Sequence, residues 1–348
     1  MCDMKVDKLP TAVDLVSRNR SIDLVKIVAM FGVICLHSTS DYLGLESFYV
    51  ADIMYRSAVV SVPLFFMVSG FLLLGRKRTD LHYSIGKILG ILRYVAVTVF
   101  IYWVAMSLKH IISGNFSFDI LLPLKYFVVS FFQGGPFAVY WYFGAMIIIY
   151  ALLPVLNRCF VSKRAFLTLF AGLFLVQYIA FVQNLTNGGG VFYASEPYVN
   201  QCFRLWNWLF YFCLGGLIKR YEPAGTRLVV IVVLGVVNLL FQMNYVSVIG
   251  VISCEFFYSS AVVVLLSACV FVWLTGCKVK RSGLVDGLSR LFLPVYSVHY
   301  FIAVMFSDCF GRTGVFAPIC SFVAVSVLSV GISYIVMKIP YADKLLRI

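Results

Sequence analysis

The chain is short of charge. Asp, Glu, Lys and Arg make up only 12% of its 348 residues, about half the roughly 25% of an ordinary soluble protein. Acidic residues are the scarcest, 15 against 28 Lys and Arg, and there are four histidines. Beside a hydrophobic content of 62%, this shortage excludes a soluble enzyme and a disordered chain, both of which need solvated charge. The ten cysteines include no C-x-x-C pair and no Cys/His spacing suited to zinc. Neither a disulfide scaffold nor a bound metal is therefore expected. Cys35, Cys213, Cys254, Cys269 and Cys320 fall inside apolar runs, where a thiol behaves as a small hydrophobe. Residues 1–21 lack a short apolar run ending at small residues, the pattern that is cleaved on secretion. The first apolar run is thus expected to remain as a helix.

What the chain has is a succession of such runs. At roughly 20 apolar residues per bilayer crossing, the length holds about ten spans and leaves no room for a separate soluble domain. The expected fold is an all-α polytopic membrane protein of about ten transmembrane helices. The runs place these near 22–40, 53–74, 88–108, 137–157, 165–183, 203–218, 228–243, 249–274, 290–307 and 316–337. The net charge of +13 would point to nucleic acid only if the basic residues shared one solvated surface. They stand instead in short clusters between spans. The N-terminus, the C-terminus and alternate junctions hold 23 of the 28 Lys and Arg residues, which puts both termini in the cytoplasm. The chain divides into a cytoplasmic segment 1–21, a transmembrane domain 22–338 and a cytoplasmic tail 339–348. Outer loops 109–136 and 184–202 carry many aromatics, among them Phe116, Tyr126, Phe192 and Tyr198. These cover a substrate entrance or form an interfacial belt.

Titratable groups within spans are costly and usually face the bundle interior. The first span carries Asp23, Lys26 and His37. Lys26 and His37 are eleven residues apart, three turns and about 20°, so they share one helix face about 16 Å apart. That face offers a base deep in the membrane and a cation near the cytoplasm. The plainer alternative is an i,i+3 ion pair of Asp23 with Lys26 and a histidine at the outer interface. In the ninth span His299 follows Pro294 and lies about 15 Å in, with a kink expected beside the proline. Glu255 in the eighth span and Asn238 in the seventh are further buried polar groups, which also suit simple interhelical hydrogen bonds. Pro63 and Ser69-Gly70 in the second span allow a bend and close helix contact.

Together these segments resemble acyltransferase family three, polytopic membrane proteins that O-acylate surface polysaccharides and related glycans. The resemblance runs from about residue 20 to 338. It rests on Asp23 to His37, Pro63-Leu64-Phe65-Phe66 to Ser69-Gly70-Phe71, Trp141-Tyr142-Phe143 leading to Tyr150 and Pro154, and Val295-Tyr296-Ser297-Val298-His299. The family has a basic residue, usually arginine, eleven positions before its functional histidine. Here that residue is Lys26, which keeps the charge without the planar fork of arginine. The resemblance implies transfer of an acyl group, most often acetyl, from cytoplasmic acetyl-CoA as co-substrate to a sugar hydroxyl, with no permanently bound cofactor. His37 would be the general base or a transient acyl carrier, and Lys26 would hold donor charge or stabilise an oxyanion. His299, Glu255 and Trp141 would orient the acceptor or serve the structure. Lys77, Arg78, Lys87 and Arg93 would receive the acyl-CoA phosphates, although the positive-inside rule alone also explains them. The expected partners are the acyl-CoA donor, a glycan acceptor, the bilayer and separate glycan-assembly proteins, without nucleic acid, in a bacterial inner membrane. The alternatives are a transporter or flippase of glycan or lipid-linked intermediates without covalent chemistry, disfavoured by the scarcity of buried acids, and a non-catalytic membrane scaffold or sensor.

Overall fold

A computed structural model describes residues 19–43, 49–77, 79–114, 119–186, 199–249, 253–280, 282–310 and 314–340, with 342 and 346. The described residues are helical, with no strand among them. Thirteen α-helices follow in order: α1 (Arg20–Thr39), α2 (Tyr49–Ser57), α3 (Ser61–Leu73), α4 (Leu81–Ile112), α5 (Leu122–Ser130), α6 (Trp141–Val161), α7 (Lys163–Thr186), α8 (Leu205–Tyr221), α9 (Leu228–Ile249), α10 (Ala261–Gly276), α11 (Gly283–Arg290), α12 (Phe292–Phe310) and α13 (Ala317–Val336). Among the described residues, seven helical stretches are long and apolar enough to cross a membrane, or eight if the bent pair α11–α12 is one crossing. Helices α8, with 17 residues, and α10, with 16, fall short of that length. The protein is an integral membrane protein built of helices. The N-terminal segment before residue 19, Arg78, most of the loop 184–202 and most of the tail lie outside the described residues.

Helix starts follow the capping chemistry of the sequence. The Asn19 side chain accepts from the backbone N–H groups of Ser21 and Ile22 at 3.1 and 3.4 Å, with Asp23 in the first turn of α1. Both satisfy the positive end of the helix. Asp80 does the same for α4 through the Tyr83 N–H at 2.9 Å. The expected second span is two helices, because a 3-10 turn at Ala58–Val60 separates α2 from α3. Pro63 then sits in the first turn of α3, where its missing N–H costs nothing. Pro294 is placed the same way in α12, so the bend of 65° lies ahead of it, between α11 and α12.

The expected eighth span needs correction. Cys254–Phe257 is a 3-10 turn, and α10 begins only at Ala261, where the Ser260 hydroxyl accepts from the Val263 N–H. Glu255 therefore lies before the helix rather than well inside a span.

Helix α1 is central. It packs against α2, α3, α10, α11, α12 and α13, so its polar side chains must face protein. Backbones meet where glycine allows it. A Cβ on Gly70 of α3 would stand 1.7 Å from the Phe212 carbonyl oxygen of α8, and one on Gly215 of α8 would stand 2.0 Å from the Met67 oxygen of α3. Such close approach lets dispersion replace the hydrophobic drive that lipid removes. The fold thereby fixes α3, which carries Phe65 and Ser69, against the bundle.

Candidate active site

His37, in the last turn of α1, opens on a cavity of about 20 Å³ lined also by Val33, Val62, Phe65, Val139, Trp141, Tyr142 and Tyr296. That is space for about one water. Its aromatic walls are packed on one another: Tyr142 lies 5.0 Å from the Phe66 ring and 5.9 Å from Tyr296, and Trp141 lies 5.0 Å from Trp208. The Tyr296 hydroxyl donates to the Val139 carbonyl and ties α12 to the turn ahead of α6. His299, fully buried on α12, brings its ring to 5.3 Å from that of His37, at 46°. Its Nδ1 lies 2.7 Å from the Tyr296 carbonyl oxygen. Its Nε2 is buried with no hydrogen-bond partner. Tyr300 meets the His37 ring edge-on at 5.3 Å.

Lys26 faces a second, larger cavity of about 310 Å³, shared with Ser69, Ile91, Tyr142, Tyr150, Ser289 and Phe292. Its Nζ is 3.4 Å from Asp23 Oδ1. The i,i+3 ion pair and the shared helix face are thus both present. Tyr142 belongs to both cavities. It is the wall between the lysine and the histidine.

The basic residues after α3 divide. Tyr83, Lys87 and Ile91 rise along one face of α4 at i,i+4 spacing, and Ile91 lines the Lys26 cavity. Lys87 Nζ stands 5.7 Å from the Tyr83 ring centre; the Arg76 guanidinium stands 5.0 Å from it and donates to the Tyr83 hydroxyl at 3.0 Å. Arg76 and Lys87 therefore gather at Tyr83, on the α4 face that carries Ile91, although neither lines the Lys26 cavity. Arg93 is exposed and two residues beyond Ile91, hence about 200° around the helix, on the opposite face. Lys77 is exposed, and Arg78 lies outside the described residues.

The other candidates separate likewise. Trp141 joins the His37 cavity. Glu255 Oε2 lies 3.7 Å from Nη1 of the buried Arg204, and neither lines the His37 or the Lys26 cavity. The pair supplies the counter-ion that a buried guanidinium needs. Asn238 is an interhelical tie, donating to the Arg56 carbonyl at 3.3 Å and accepting from Gln242 at 2.8 Å. Sequence reasoning left Tyr142, Tyr296 and Arg76 out of the site. Each stands in a quoted motif or basic run, but nothing in the sequence showed that they converge.

A family model described as "Acyltransferase domain" matches residues 19–338. The chain belongs to acyltransferase family 3. The matched region contains both cavities. The chain is also 31% identical over 144 residues to an "Amino-acid racemase" of Enterococcus faecalis, a match covering 40% of this chain and 20% of that protein. The chain thus spans about a fifth of that relative's length. No solved structure matches it.

Proposed function

We propose that the protein moves an acetyl group from cytoplasmic acetyl-CoA to a sugar hydroxyl of a cell-surface polysaccharide, in a bacterial inner membrane. One observation carries the reading. Arg76 and Lys87 gather at Tyr83 on the α4 face that carries Ile91 to the Lys26 cavity, and Tyr142 lines both that cavity and the His37 pocket. A CoA thioester is a long arm with phosphates at one end and the acyl group at the other, and this order of groups suits its length. The positive-inside distribution supports ten crossings with cytoplasmic termini, the short α8 and α10 included. The basic cluster at Tyr83 then lies on the side of the cytoplasmic donor.

In this mechanism Arg76, Lys77, Arg78 and Lys87 hold the CoA phosphates through charge-assisted bonds. Lys26 balances donor charge or the oxyanion that develops at the thioester carbonyl. A hydroxyl is a weak nucleophile at neutral pH, and His37 takes its proton as it attacks, or first carries the acyl group. No resident cofactor is needed. Glycan-assembly proteins would bring the acceptor to the bundle.

The test is release of free CoA from radiolabelled acetyl-CoA by purified protein in liposomes, with and without surface-glycan extract. Acceptor-dependent release with label in the glycan supports the reading. Movement of unmodified glycan without CoA release would replace it with the transporter reading.

A further inference from the structure

His37 and His299 differ in a way that assigns them different work. His37 lines the small cavity, whereas His299 lies behind it, fully buried and absent from the cavity wall. A carbonyl oxygen only accepts, so the 2.7 Å contact of His299 Nδ1 with the Tyr296 carbonyl puts the ring hydrogen on Nδ1. Nε2 then carries a bare lone pair. That atom is buried without a partner, an arrangement that costs free energy unless something is to be received there. The imidazole packed against the His299 ring is that of His37, the two ring centres 5.3 Å apart.

We propose that His299 is the positioning residue of His37: its Nε2 accepts the N–H of the His37 ring, leaving the lone pair of His37 directed at the cavity. The proposal rests on the acyl-transfer reading above and names how its histidine is set. Such bonds are often long in a ligand-free site and tighten when substrate binds. The Tyr296 carbonyl holds His299, and His299 holds His37, as a base is oriented by a third group in other nucleophilic sites. The proton count closes. The hydroxyl oxygen bonds to the thioester carbon while its proton passes to the cavity-side nitrogen of His37. The other N–H of the resulting imidazolium is held by His299 Nε2. The C–S bond then breaks, the sulfur leaves as thiolate, and it takes the same proton back from His37. His299 neither gains nor loses a proton.

The test combines a spectroscopic and a kinetic arm. With four histidines in the chain, selective ¹⁵N-histidine labelling gives a sparse spectrum, and H82Q and H110Q variants leave the two resonances of interest. In the wild-type protein His299 is expected as the Nδ1–H form and His37 as a single tautomer; the Nε2–H form at His299, or a mixture at His37, overturns the proposal. In the kinetic arm, H299N keeps a donor for the Tyr296 carbonyl but offers no acceptor at the Nε2 position, whereas H299Q offers one. Transfer from acetyl-CoA should fall about 100-fold in H299N and stay within about tenfold of wild type in H299Q. The His37 tautomers should become mixed in H299N alone. Equal activity of the two variants, or an unchanged His37 tautomer in H299N, refutes it. If the wild-type protein transfers no acetyl group, the acyl-transfer reading fails, and the spectra still decide whether the two histidines are coupled.

Discussion

Lys26 and His37 open on different cavities that share a single wall, Tyr142. Helical geometry puts the two residues on one face of α1, and α6 supplies the aromatic ring that stands between them. On the acyl-transfer reading proposed above, a donor arm lying on Lys26 would reach His37 only when that ring moves aside, so acyl delivery and water exclusion would depend on the same side chain.

Removing His37 tests the chemistry itself. With its imidazole gone, no histidine, carboxylate, lysine or arginine lines the small cavity among the described residues, and Tyr142 and Tyr296 are the titratable side chains left there. His37→Ala should lower acetyl transfer at least about 100-fold, the lower end of what a positioned base contributes. The protein should keep its elution volume and unfolding midpoint. Full activity in this variant removes His37 from the mechanism.

Tyr142 should control where the acyl group goes. Tyr142→Ala merges the two cavities and admits water to the thioester. Acceptor-independent CoA release, with acetate as the other product, should rise about tenfold as water exclusion is lost. Tyr142→Phe keeps the wall and should leave release coupled to acceptor. Free CoA and acetate measured without acceptor give the answer, and tight coupling in the alanine variant would sink the idea.

The basic residues gathered at Tyr83 can be separated from general positive charge by the donor used. Arg76→Gln and Lys87→Gln should each raise KM for acetyl-CoA about tenfold, the effect of one charged hydrogen bond. KM for acetyl-pantetheine, which lacks the nucleotide phosphates, should not change. Arg93→Gln should alter neither, because Arg93 lies on the far face of α4. An equal effect of all three variants would return the basic run to a purely topological role.

Lys26 is held by Asp23 at 3.4 Å with about a quarter of its side chain exposed. If charge is what the cavity requires, Lys26→Arg should preserve transfer better than Lys26→Ala. Parallel KM and kcat measurements on the two variants check this, and equal activities would make the residue a structural partner of Asp23.

Much of this arrangement could be read from the sequence, and the exceptions have physical causes. The apolar runs located helices because burial in lipid and helix formation coincide over most of the chain. The coincidence fails at residues 253–260. There the run stays apolar, but Ser253 and Ser260 bond neighbouring backbone N–H groups, and such local bonds favour turns and caps over helix interior. Hydropathy counts this stretch as membrane and so carried Glu255 into a span. Pro294 was legible as a helix disturbance, but not that its ring would sit harmlessly in a first turn while the bend fell before Phe292. The shared face of Lys26 and His37 followed from helical period alone. The approach of His299 to His37, and of Tyr142 to both cavities, needs the packing of α12 and α6 on the bundle, which no local pattern encodes.

That packing depends on helix contacts with no spare volume, and these can be tested at Gly70. An added Cβ would meet the backbone of α8 at Phe212, 1.7 Å from a carbonyl oxygen, an atom that no rotamer change can move. Helix α3 must then shift from α8, and it carries Phe65 and Ser69, which line the two cavities. Gly70→Ala should cost about 1–3 kcal/mol, as overpacking typically does, and lower the unfolding midpoint by several degrees. Acetyl transfer should fall in the folded fraction, since the site itself is displaced. Gly172→Ala provides the contrast. No atom lies within 4 Å of its added Cβ, so in the interior of α7 helix propensity alone should make it neutral or slightly stabilising. Equal unfolding midpoints for the two variants would show that the α3–α8 contact is not what sets the site.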